Sequence, residues 1–74
     1  MWFRKPDQTL TVHPKEFHSA TEVMDAMDLM TDMIMSYHLD LVDTSEKGIT
    51  VKGRPWHIAA FQQAFEQEHT NGLI

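Results

Sequence analysis

Between Ser19 and His38 the chain places apolar side chains at helical spacing over more residues than anywhere else in its 74. At about 100° per residue, Ala20, Val23, Met27, Met30, Ile34 and Tyr37 fall on one stripe. Met24 and Met33 flank it, and Thr21, Asp25, Asp28 and Asp32 fall on the opposite side. Ser19 followed by Glu22 is a capping-box pattern, in which each side chain satisfies a backbone N–H of the first turn. The spacing predicts one long amphipathic helix over 19–38.

A chain of 74 residues makes one domain, 1–74. At that size folding hides only about 60% of the surface the unfolded chain exposes, so the core is small. There is no cysteine to reinforce it through a disulfide or a thiolate metal site. Oligomerisation is the remaining source of buried area, and a homodimer is the expectation. A net charge of −5 argues against nucleic-acid backbone binding as the main role. Arg4 and Lys5 precede no apolar run of the signal-peptide kind, and no window approaches the roughly 18 apolar residues of a membrane span. The expectation is a soluble, cytoplasmic protein with no membrane attachment and no cofactor.

Residues 1–7 read as an N-terminal arm, interrupted by Pro6. From 8 to 13, Leu10 and Val12 alternate with Thr9, Thr11 and His13, which predicts a half-buried strand ended by Pro14. After the long helix, the alternating runs 39–44 and 49–52 flank Ser45–Gly48 and predict a β-hairpin, with Gly48 free to take positive φ. Leu39, Leu41, Ile49 and Val51 would share a buried face with Leu10 and Val12. Thr9, Thr11, Asp40, Val42, Thr50 and Lys52 would line the other. Pro55 suits a first helical position, and Ile58, Phe61 and Phe65 recur on one face of a second helix over 55–69. Asn71-Gly72 is a stop signal, and Leu73 and Ile74 form a very short apolar end.

The fold class is therefore α+β with the order β-α-β-β-α. It comprises a three-stranded antiparallel or mixed sheet with two helices on one face. A right-handed crossover from the first strand to the second leaves room for the third between them. Over residues 8–69 this order resembles the ferredoxin-like split βαβ fold, also used by ACT-type regulatory domains, without most of its last strand. The resemblance is one of topology and carries no functional residue with it.

Candidate sites cluster on the long helix. Met24, Met27, Met30, Met33 and Met35 fall within twelve residues. With Leu29 they spread apolar surface over more than half the helix circumference, wider than one sheet needs. Methionine surfaces adapt to partners of varied shape, although loose core filling explains the same composition. Met24, Leu29, Met33 and Met35 are the candidate apolar interface. Glu22, Asp25, Asp28 and Asp32 form an acidic ridge, which mutual repulsion slightly destabilises and a basic partner would relieve; a solvated helix face is the bland alternative. Lys52, Arg54, Trp56 and His57, like the segment from Trp2 to Lys5, set bases beside aromatics, the pattern of a single-strand nucleic-acid contact. Trp56 and Trp2 serve equally well as caps on a small core.

His13, His18, His38, His57 and His69 match no ligand spacing, and no metal is expected. Gly48, Gly53 and Gly72 are too scattered for a phosphate loop, and Ser36 and Ser45 have no partner pattern for catalysis. An enzyme is not expected. The first reading is a small non-catalytic protein–protein interaction module or regulator acting through the Met-rich, acidic helix. The alternatives are an inhibitor of viral or mobile-element type, whose acidic helix mimics nucleic acid, and a weak RNA or DNA contact through the Lys52–His57 corner.

Overall fold

The computed structural model describes residues 6–46 and 48–74. The predicted contribution of the arm, including Trp2, Phe3, Arg4 and Lys5, lies outside the described residues, as does Lys47. The elements run β1 (Gln8–Val12), α1 (Ala20–Ser36), β2 (Asp40–Ser45), β3 (Gly48–Gly53) and α2 (Pro55–Thr70). The sheet is fully antiparallel with the order β1-β3-β2. This is the α+β arrangement of a small ferredoxin-like fold, and it leaves β1 and β2 as the two edges.

Val51, on the central strand, stands opposite Leu10 of β1 and Leu41 of β2. It is fully buried beneath the helices. On the uncovered face Thr11 and Thr50 share a 2.7 Å hydroxyl hydrogen bond, and Lys52 stands opposite Asp40. α2 packs on β1 and β3, whereas α1 leans on β2 and on the flank of α2. Phe61, with no exposed surface, is the centre of the core. Tyr37 meets its ring edge-on at 6.4 Å, and Phe65 stacks one turn further on.

Both helices begin and end as local chemistry dictates. The Ser19 side chain accepts the Glu22 N–H at 3.2 Å, while the Glu22 carboxylate accepts the N–H of His18 at 2.9 Å. The reciprocal bond of the capping box thus falls one residue earlier than expected. α2 starts on Pro55 without a side-chain cap, where the missing N–H is no loss. Each helix closes in a Schellman motif. Leu39 N–H reaches Ile34 C=O and His38 N–H reaches Met35 C=O; Leu73 N–H reaches Glu68 C=O and Gly72 N–H reaches His69 C=O. Beyond α2, Ile74 is fully buried in the core. The Lys15 ammonium donates to Gly72 C=O and ties the β1–α1 loop to the turn after α2.

Three expectations about burial change. The buried stripe of α1 is Ala26, Met30, Met33 and Ile34, with Leu29 and Tyr37 against it. Ala20, Val23 and Met27 are exposed. The core face is thus turned by about 50° from the predicted one, because α2 covers one flank of α1 and, among the described residues, Val23 and Met27 on the other stay exposed. Leu41 is 56% exposed despite lying on the helix side of the sheet, since it lines an open groove between β2 and α1. The expected alternation also breaks between Leu41 and Asp43, where β2 carries a bulge and Asp43, not Val42, pairs with Thr50. Among the described residues no helix is long and apolar enough to cross a membrane.

Candidate functional site

The rotation of α1 leaves a groove between that helix and β2. Its walls include Phe17 from the β1–α1 loop, Val23, Met27 and Met30 from α1, Leu41 from β2 and Ile49 from β3. The cavity encloses about 130 Å³, and among the described residues the side-chain polar groups lining it are the hydroxyls of Thr31 and Thr44. That volume accepts one or two large apolar side chains, comparable to the roughly 150 Å³ of a cavity that binds benzene. Among the described residues no titratable side chain lines it.

The surface around the groove is apolar as well. Val23 is 39% exposed, Met24 65%, Met27 60% and Met35 68%. On α1, Met24, Met27 and Met35 form a strip between the core face and the acidic ridge. A single exposed methionine needs no explanation, but a strip that continues into a groove does. Of the predicted interface, Met24 and Met35 belong to this strip. Met33 is instead buried, and Leu29 packs against the core beside it; both face α2. Val23 and Met27, read in sequence as core, take their place. The buried stripe and the predicted one differ by half a residue step around the helix, too fine a distinction for periodicity alone.

Glu22, Asp25, Asp28 and Asp32 are all exposed. Among the described residues none of them has an ion-pair partner; Arg54 and Asp7, 3.9 Å apart, form the one such pair. Glu22 differs from the rest because its carboxylate is committed to the helix start. Asp28 follows Met24 by one turn and precedes Met35 by two, so the ridge directly borders the methionine strip. Asp40 and Asp43 add carboxylates along β2. Together α1 and β2 carry six acids, four plus two, and no Lys, Arg or His.

The Lys52–His57 corner is divided. Lys52 lies on the sheet face away from the helices, opposite Asp40 and Thr9. Arg54 lies 5.9 Å from the centre of the 60%-exposed Trp56 ring and is also drawn to Asp7. His57 is half-buried, with its ring 5.7 Å from that of His38 and its Nδ1 enclosed without a hydrogen-bond partner. Arg54, Trp56 and His57 therefore gather at the start of α2, while Lys52 faces elsewhere. Among the described residues no three His, Cys, Asp or Glu side chains converge as a metal site would require. No family model, curated protein or solved structure matches the chain.

Proposed function

We propose that this protein is a non-catalytic protein–protein interaction module of the cytoplasm, whose binding face is the groove between α1 and β2. One observation carries the reading: Met27, a wall of the groove, is itself exposed, and the exposed Met24 and Met35 stand on the same side of α1. A contiguous apolar surface of this kind marks a contact site on small soluble domains. Methionine fills it with flexible, polarisable side chains that adapt to a partner's shape. An enzymatic cleft needs converging polar groups, and this one offers two threonines.

The reading is tested by capture from host extract with the intact protein and with a Met27→Asp, Leu41→Asp double variant, both first shown to melt alike. A partner that binds the parent and not the variant, and that rebinds when purified, supports the module. Equal capture by both moves the function away from the groove. A second reading rests on the unpaired acids of the ridge, which would occupy a nucleic-acid-binding protein. Asp25→Asn, Asp28→Asn and Asp32→Asn together abolish binding in that case, while the double variant does not. Self-association through the open edge of β1 or β2 is the further possibility that unpaired strands create, and sedimentation equilibrium measures it.

A further inference from the structure

The two edges of the sheet are not alike. β2 carries a bulge between Leu41 and Asp43 and the carboxylates of Asp40 and Asp43, devices that keep an edge strand from pairing further. β1 has neither. Its residues Gln8–Val12 hold an unbroken register against β3 and include no charge, glycine or proline. Among the described residues no backbone group bonds to its outer side.

One close approach fixes the direction of the β1 backbone groups. A Cβ on Gly48 would lie 2.5 Å from the Val12 carbonyl oxygen, so that oxygen points at β3. Successive residues of an antiparallel strand turn their N–H and C=O groups to alternate sides. Gln8, Leu10 and Val12 therefore face β3, and Thr9 and Thr11 face outward. Asp7 and His13 are the next residues of the outward row.

The sequence around that row is matched about its centre. Pro6 and Pro14 lie four residues either side of Leu10, and Thr9 and Thr11 lie one residue either side. We infer that the outer edge of β1 pairs with β1 of a second copy, antiparallel, about a two-fold axis through Leu10. This edge is separate from the α1–β2 groove. The axis sets Thr9 opposite the partner's Thr11, Gln8 opposite the partner's Val12 and Asp7 opposite the partner's His13. Outward N–H and C=O groups of the threonines then meet as hydrogen-bonded pairs, and no like charges face each other between 7 and 13.

Both faces of the new junction are complementary. Thr9 and the partner's Thr11 meet on the uncovered face, where Thr11 already bonds to Thr50, and threonine pairs stabilise neighbouring strands. On the helix face the half-buried Leu10 meets the partner's Leu10 at the closer spacing of a pair without hydrogen bonds. Pro6 and Pro14 have the parity of Leu10, so neither withholds an N–H from the shared row. A strand of another protein would satisfy the same backbone groups, but a second copy matches both prolines and both threonines in one register. The product is a continuous sheet of three strands from each copy, with the helices of both on one face.

The test combines sedimentation equilibrium with cysteine cross-linking of the full chain, which has no cysteine of its own. The parent shows a concentration-dependent dimer. Thr9→Pro removes an outward N–H, keeps the bonds to β3 and raises the dissociation constant by about tenfold or more. The Met27→Asp, Leu41→Asp variant dimerises as the parent does. Leu10→Cys forms a disulfide across the axis, whereas Thr9→Cys and Thr11→Cys, which do not face their own copies, cross-link about tenfold more slowly or worse. A monomer at every concentration overturns the inference, and so does a dimer that a folded Thr9→Pro leaves untouched. If Thr9→Pro does not fold, the cross-linking pattern decides. Equal cross-linking of the three cysteine variants overturns the two-fold register, and a dimer lost in the Met27→Asp, Leu41→Asp variant overturns the edge in favour of the groove.

Discussion

His38 holds at the end of α1 the left-handed backbone position that Gly72 holds at the end of α2. The two residues have φ of 55° and 80°, and each is the first residue beyond the cap of a Schellman motif. Glycine adopts this conformation freely, whereas an L side chain is strained in it. At His38 the hydrogen bonds of the motif and the burial of Leu39 beside Ile34 hold the chain there. His38→Gly is expected to raise stability by up to about 1 kcal/mol, the relief of strain exceeding the added freedom of the unfolded chain. His38→Val, β-branched, is expected to lower it by about 1 kcal/mol or more. Urea melts of the three proteins check the order Gly, His, Val; a glycine variant below the parent would show that the ring contact with His57 outweighs the strain.

Gly48 faces a stricter requirement. Its φ is 135°, and a Cβ there would lie 2.5 Å from the backbone oxygen of Val12 and 3.0 Å from His13 Nδ1. Backbone of the neighbouring strand cannot yield as a side chain does. Gly48→Ala is expected to destabilise by about 2 kcal/mol or more. Gly72→Ala meets open space and carries only the conformational term, about 1 kcal/mol. Thermal melts that rank the two variants the other way would mean that β3 shifts to admit the methyl group.

Much of this was legible before any coordinates. Alternation of Leu10 and Val12, the Gly48 turn and the recurrence of Ile58, Phe61 and Phe65 led to all five elements. Chain order alone implied that β3 lies between β1 and β2. The orientation of α1 was not legible. Methionine on a broad apolar helix leaves the azimuth open by about half a residue step, and the contact with α2 that resolves it is tertiary. The bulge at Val42 was hidden because Leu41, Val42 and Asp43 fit a regular strand equally well. Asp25, Asp28 and Asp32 are exposed, as their place opposite the apolar stripe implied.

The turned stripe makes a direct contrast between two methionines. Met33 is 9% exposed and Met27 60%. Met33→Ala is expected to lose about 2–5 kcal/mol through lost burial and a residual cavity. Met27→Ala is expected to change stability by no more than about 0.5 kcal/mol. Chemical denaturation distinguishes them, and equal losses would restore the stripe predicted from sequence.

At the start of α1, Ser19→Ala removes the acceptor for the Glu22 N–H and is expected to lower stability by about 1 kcal/mol. Amide exchange of the first helical turn provides the local readout. Unchanged protection at Glu22 would show that another group takes over the cap.

The division of the methionines between core and surface has a chemical consequence. A thioether open to solvent is oxidised to a polar sulfoxide, which flexible contact surfaces tolerate poorly. Met24, Met27 and Met35 stand open to peroxide, while Met30, 4% exposed, and Met33 are shielded by the same packing that holds the fold. Mild oxidant therefore reaches the surface strip first and makes it hydrophilic while the fold keeps its interior thioethers reduced. Methionine sulfoxide reductases return such residues to their starting state, so the apolar character of this exposed face is one that oxidants can remove and enzymes can restore.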